Sequence, residues 1–370
     1  MDIGQGLKKA RNAIGYTLQK AAQESGIGES SISEFENSKR EPKFSQLSKL
    51  AEVYRKTVGF FLTDELHAEN IMLWRARPST EEEMRKTEAD FRQLCEQYHN
   101  LEFVMGEVKK NPLPQPDVSK PEDFDYKKTE LLAEKAQRDF SLGEIPSTCL
   151  KQTLEERFYV KIFHLNFSGS AISIKSPDFG PAVLLNKDSK LWRRNFDLAH
   201  ELFHILTWDI FRKEGLAESE PSKLEEKLAN AFASRLLLPT DPIRHKIEAA
   251  MNQEGKIISF QALDEIAREF GVSLKALLWR LLYLYNKPAE EIEKYLEQAE
   301  TIKVNRPLRR SDEPDELPER YCSLAIRAVR EGKLSLTQFA KYMDISYIKA
   351  RDYFGEDEDF TDERNSIPVA

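Results

Sequence analysis

LAHELFHIL, residues 198–206, decides how the rest of this chain is read. It holds His200, Glu201 and His204, an HExxH pattern set among Leu198, Ala199, Leu202, Phe203, Ile205 and Leu206. On a helix, positions i and i+4 lie one turn apart on the same face, so both imidazoles can reach one ion. Zinc accepts nitrogen ligands and keeps one position open in catalytic sites. The acid after the first histidine then projects beside the ion. There it can take a proton from water and pass it to a leaving amine, which makes Glu201 the expected catalytic base. The apolar neighbours predict a buried helix, where two histidines require a reason.

A third ligand has to come from elsewhere. Residues 222–239, SKLEEKLANAFASRLLLP, have helical apolar spacing, a proline stop, and Glu225 and Glu226 in the first turn. Ala229, Ala231 and Ala233 keep this helix slim enough to pack closely on the HExxH helix. Periodicity does not choose between Glu225 and Glu226. Asp209, Glu214, Glu218 and Glu220, between the two helices, offer further carboxylates but read as a solvated face.

RRNFDLAHELFHIL followed by EKLANAFASRLLLP resembles the ImmA/IrrE family of bacterial metallopeptidases. Its members carry a phenylalanine shortly before AHExxH and then a Glu-x-x-Ala-Asn-x-Phe-Ala helix ending in Leu-Leu-x-Pro. The likeness spans roughly residues 126–290. It implies that His200, His204 and Glu226 hold the metal, in a minimal zincin-like core. Zn2+ is the expected ion, although Mn2+ or Fe2+ also suit two histidines and a carboxylate. In such a core the Ala182–Asn186 strand, with Val183, Leu184 and Leu185, is the candidate edge strand for an extended substrate. His164 and Tyr159 are oxyanion candidates that also read as structural residues. Phe203 stands where the family commonly has glycine, which would narrow the pocket or alter substrate choice.

Residues 17–54 resemble a repressor-type (Xre/Cro-like) helix-turn-helix, on Ala21-Ala22, the Gly26-Ile27 turn, Ile32, Phe35 and the closing ENSKREP. The resemblance implies that the second helix enters a major groove, with Ser30, Ser31 and Ser33, beside Glu29 and Glu34, facing the bases. Lys39, Arg40 and Lys43 are the phosphate candidates. Charge pulls the other way: residues 1–65 hold ten Lys or Arg against nine Asp or Glu. Glu29 and Glu34 would be repelled by phosphate, so residues 17–43 read equally as a DNA-binding or a protein-recognition module.

The rest of the chain fits around these two motifs. The expected fold class is mainly α and multidomain. It comprises an N-terminal helix-turn-helix bundle (1–66), a helical connector and linker (67–125), an α+β zincin-like metallopeptidase domain with a small sheet (126–300), a helical C-terminal extension (301–356) and an acidic tail (357–370) expected to be disordered. Strands are expected in RFYVKIFHL, GSAISI and PAVLLN, and residues 258–286 read as a helical cap turning at Gly271. A net charge of −8 argues against a chain that coats nucleic acid over its whole surface. Cys95, Cys149 and Cys322 are scattered and form no CxxC unit, which suits reduced thiols. With no apolar run of roughly 18–20 residues and no secretory h-region at the start, the expectation is a cytoplasmic protein without a membrane partner.

The leading expectation is a zinc-dependent regulatory endopeptidase. Its substrate would be one specific protein, such as a helix-turn-helix repressor or an antitoxin encoded nearby. The competing one is a DNA-binding transcription regulator or antitoxin-like binding protein whose peptidase fold is weakly active or inactive.

Overall fold

Short helices separated by polar turns build the N-terminal unit, because each is too short to stand without tertiary packing. They are α1 (Ile3–Ala13), α2 (Leu18–Ser25), α3 (Glu29–Glu36), α4 (Phe44–Val53) and α5 (Val58–Leu62). Thr17 caps α2 by accepting from Lys20 N, and Gly26 ends it at φ 67°, the left-handed conformation that only glycine adopts without strain. Leu7, Ala21, Ile32, Phe35, Leu47 and Leu50 close the core. Gly4 lets α1 lie against the end of α3, since a Cβ there would stand 2.3 Å from the Phe35 carbonyl.

The computed structural model describes residues 3–56, 58–62, 71–109, 113–212, 220–251, 257–286, 288, 290, 294–296 and 313–355. The predicted acidic tail, most of the Pro- and charge-rich break before residue 313, and the loop acids Glu214 and Glu218 lie outside the described residues. Among the described residues, no helix is long and apolar enough to cross a membrane.

The sheet contains β1 (Leu73–Arg75), β2 (Lys161–Leu165), β3 (Ala171–Ser176) and β4 (Gly180–Asn186), in the order β1-β3-β4-β2. β2 and β4 are parallel; β3 runs antiparallel to β4, and β1 antiparallel to β3. Alternate residues supply two cores, as a period of two demands. Ile162, Ala171, Val183 and Leu185 face one, while Phe163, Ile172, Ile174, Ala182 and Leu184 face the other.

The first face carries α7 (Tyr126–Phe140), α8 (Leu150–Arg157), α9 (Leu191–Leu206), α10 (Trp208–Phe211), α11 (Lys223–Leu237), α12 (Thr240–Ala250), α13 (Phe260–Glu269) and α14 (Leu274–Tyr285). Gly271, at φ 63°, makes the predicted turn between the last two. The second face is covered by α6 (Glu81–Val104) and the C-terminal helices α15 (Glu319–Arg330), α16 (Leu336–Tyr342) and α17 (Tyr347–Phe354). Buried Lys161 on β2 meets Glu102 of α6 at 2.8 Å, and Arg320 of α15 bonds the same carboxylate.

Two expectations need correction. The connector is not only helical, because its Leu73–Arg75 segment joins the sheet. Val183, Leu184 and Leu185 do not form an edge: β4 is paired on both sides, so its backbone donors and acceptors are already used. The strand next to the HExxH helix with an outward side is β3, and there β1 covers Ala171–Ser173.

Candidate metal centre

α9 and α11 bring the site together. Ala199 on α9 and Ala229 and Ala233 on α11 are fully buried and let the two helices approach closely, whereas Ala231 lies off that face. Ser222 caps α11 by accepting from Glu225 N at 3.1 Å, which fixes Glu225 and Glu226 in the first turn. His200, Glu201 and His204 are at most 2% exposed, so whatever they bind is reached through the more open Glu226 and Asn230 side.

His200 Nε2 and His204 Nε2 are 3.2 Å apart, and the two Glu226 oxygens each stand 3.4 Å from one of them. The remaining ring nitrogens are already committed. His200 Nδ1 donates to Asn230 Oδ1 at 3.1 Å, and His204 Nδ1 to Glu225 Oε1 at 2.9 Å. That fixes the hydrogens on Nδ1 and leaves both Nε2 lone pairs facing each other and a carboxylate. Such a set of lone pairs is repulsive without a cation between them. Two ligands 2.0–2.1 Å from one tetrahedral ion stand about 3.3–3.4 Å apart, which is the spacing found here. His200, His204 and Glu226 therefore fit a divalent metal.

The metal-free electrostatics tell the same story. Burial, helped by the nearby Arg75 charge, pushes His200 down to about 3, so it stays neutral. Burial also opposes charge on His204, but bonds to Glu225 and Glu226 outweigh it and raise the pKa to about 9. Glu226 is held well below the usual carboxylate range because the two histidines outweigh its burial.

Glu201 is arranged differently. Ser173 of β3 donates to its Oε2 at 2.5 Å, while Oε1 is buried without a hydrogen-bond partner. Burial pushes this carboxyl up to about 7. A carboxylate with one oxygen tethered and the other free near neutrality can accept a proton.

A further ring of contacts orients the ligands. Arg212 grips both oxygens of Glu225 at 2.9–3.1 Å, which commits Glu225 to His204 Nδ1 and leaves the metal position to Glu226. Arg75 Nη2 donates to Asn230 Oδ1 at 3.3 Å, and its Nε lies 3.0 Å from Asp197 of α9. Arg193 and Ser170 bind the other Asp197 oxygen. Asn230 follows Glu226 by one helical turn, a spacing that could have singled it out. Arg75, from far upstream, has no such signal.

The other candidates separate from this centre. His164 Nδ1 donates to the Asp315 carbonyl at 3.0 Å, and Tyr159 lies under Lys109 and Arg320, so both serve structure. Phe203 is fully buried among Phe124, Phe211 and Phe232, so it fills the core and does not narrow a pocket. In the N-terminal unit Ser30, Lys39, Arg40 and Lys43 are exposed and Ser31 and Ser33 half-buried. Ser33 receives the Asn37 amide at its carbonyl, 2.8 Å, and Arg40 leans on Glu34 at 3.5 Å and over the Phe35 ring.

Comparison with known proteins agrees with these two units. Residues 155–282 match a peptidase family described as the IrrE N-terminal-like domain, and residues 7–61 match the helix-turn-helix family. The chain is 35% identical over 71 residues to the HTH-type transcriptional regulator ImmR of Bacillus subtilis (strain 168). That stretch is 19% of this chain and 56% of ImmR, so the chain spans little more than half of that relative. A Mycobacterium tuberculosis transcriptional regulator aligns over 51% of both chains at 16% identity and a TM-score of 0.32. ComR from Streptococcus suis aligns over 92% of this chain and 93% of its own at 13% identity and a TM-score of 0.16. Neither structural likeness is strong enough to carry an argument.

Proposed function

From a chain that carries a helix-turn-helix domain and an IrrE-like peptidase domain, we propose a zinc-dependent regulatory endopeptidase that cuts one specific protein. The observation that carries this reading is the convergence of His200 Nε2, His204 Nε2 and a Glu226 oxygen within 4.8 Å of one another, beside a carboxylate kept free. Zinc bound there would polarise the scissile carbonyl and acidify a water molecule. The protein's own residues do the rest. Asn230 and Glu225 aim the two imidazoles, and Ser173 holds Glu201 by one oxygen. Glu201 takes the water proton on Oε1 and returns it to the leaving amine. Burial of Glu201 suits both halves of that task, because it raises the carboxyl pKa toward the working range.

The substrate proposed is a helix-turn-helix repressor or an antitoxin, found through the N-terminal domain. Similarity to a DNA-binding type of regulator supports a second role for that domain, in which Lys39, Arg40 and Lys43 hold phosphate while Ser30, Ser31 and Ser33 face the bases. An N-terminal domain that ends near residue 66 belongs to the same reading. The test is incubation of the protein with the products of neighbouring genes, with and without chelator. One product cut only in the metal-loaded sample is expected. Specific duplex binding with no product cut would instead favour a regulator whose peptidase fold is inactive.

A further inference from the structure

β3 touches the catalytic helix through the hydrogen bond from Ser173 to Glu201. An extended polypeptide held at this site by backbone hydrogen bonds would lie antiparallel to β3 on its outer side. Along Ala171–Ser173 that line is already taken. β1 runs antiparallel along it, with Leu73 opposite Ser173, Trp74 opposite Ile172 and Arg75 opposite Ala171. This strand lies well before the residues that match the peptidase family, which begin at 155.

The side chain that follows β1 into the centre is Arg75. It bridges Asp197 on the HExxH helix and Asn230 on the ligand helix, and Asn230 in turn holds His200. Its Nη1 is buried and has no hydrogen-bond partner, an exception among buried polar groups. β1 has only three residues; beyond β3 and the Phe167 ring against Trp74, α6 helps to fasten it. Trp74 Nε1 donates to Glu88 at 2.7 Å, and Met72 and Trp74 share a core with Phe91. The same helix receives the helix-turn-helix domain, through Arg55 on Asp90 at 2.9 Å and Lys56 on Glu96 at 3.6 Å.

We propose that β1 is an autoinhibitory strand: a resident occupant of the substrate edge of β3, latched by Arg75, that a protein substrate must displace. The inference rests on the peptidase reading above and adds its regulation. It gives the N-terminal domain a mechanical route to the site, because the helix that anchors β1 also carries that domain. A substrate competing with β1 meets only the open fraction of molecules, so its apparent affinity falls by that fraction.

Two readouts separate this inference from the peptidase reading. The first uses full-length, zinc-loaded Glu201→Gln protein and a fluorescein-labelled peptide of residues 71–78, IMLWRARP, followed by anisotropy. Adding Arg75→Ala should tighten peptide binding about tenfold, the scale of one charge-assisted bond removed. Arg75→Gln serves as a second release variant, with a thermal melt to show that each is folded. The second readout is β-casein cleavage with Glu201 intact, where releasing the latch should lower KM by a similar factor. Equal peptide binding with and without Arg75 overturns the proposal, even if casein is cut. Tighter peptide binding with no cleavage by any version upholds the displaceable strand and removes the peptidase reading instead.

Discussion

The metal centre, shared by α9 and α11, and the polar surface of α3 are both made from a few polar residues on helices, yet the fold treats them in opposite ways. At the centre, His200 and His204 are almost fully buried, and each has its second nitrogen fixed by a named acceptor. Along Glu29–Glu36 the polar residues, apart from Glu36 buried on Arg11, are turned to solvent or engaged close by, as Ser33 is with Asn37 and Glu34 with Arg40. Preorganised ligands lose little on binding, whereas a solvated surface must shed water and order its side chains. The centre is thus committed to one kind of ligand by its own geometry, and the helix leaves its partner to be selected by shape and charge.

The largest effect that could break this contrast is at Glu201. Glu201→Gln should keep one zinc per chain and lose cleavage by about a thousandfold, within the range for a general base acting with a metal. His200→Ala should lose the metal as well. Metal analysis together with a cleavage assay reads both, and full activity in Glu201→Gln would remove the mechanism.

Next in size is the ring of orienting contacts. Asn230→Ala or Glu225→Ala should weaken zinc binding about 10–100-fold, the usual cost of losing a partner that aims a ligand. Competition with a chromophoric chelator measures it. Unchanged affinity in both would mean that the histidines are positioned by packing alone.

The same contrast explains what can be read from the amino acids. HExxH is legible because ligand identity and helical spacing are local properties. The choice of Glu226 over Glu225 is not legible from periodicity, since it turns on Arg212, which lies outside either motif and claims Glu225. The helices at 126–140, 260–269 and 274–285 match their expected stretches because their apolar spacing and capping signals are local too. The edge strand is misread from sequence because strand order is not a local property: β2 and β3 flank β4 on both sides. The unbroken apolar run of β4 marks a strand covered on both faces, but β2 is buried as continuously and still lies at the end of the sheet, so such a run does not tell an interior strand from an edge.

On the recognition helix, effects should be smaller and shared. If the domain holds DNA, replacing Lys39 or Lys43 with alanine should weaken binding several-fold on every sequence. The salt slope should fall by about one for each phosphate no longer neutralised. Arg40→Ala should do less, because Glu34 and Phe35 already occupy its guanidinium. Binding curves at several salt concentrations test this. No duplex binding at low salt would assign the surface to protein recognition.

Burial without a matching partner has its own effect, on stability and not on binding. Glu155 of α8 is 8% exposed, its Oε1 has no hydrogen-bond partner, and burial pushes its pKa up to about 7 from an ordinary 4.5. Between those values the folded protein keeps a proton that the unfolded chain has released, so stability falls as pH rises from about 4.5 to about 7 and then levels off. Glu155→Gln removes the charge but keeps the shape. It should raise stability by about 1–3 kcal/mol above pH 7 and by almost nothing near pH 4.5. Thermal melts at the two pH values check this. An equal gain at both would mean that the carboxylate is not what burial penalises. A gain confined to high pH would show why Glu225, just as buried but gripped by Arg212 and His204, can remain charged where Glu155 cannot.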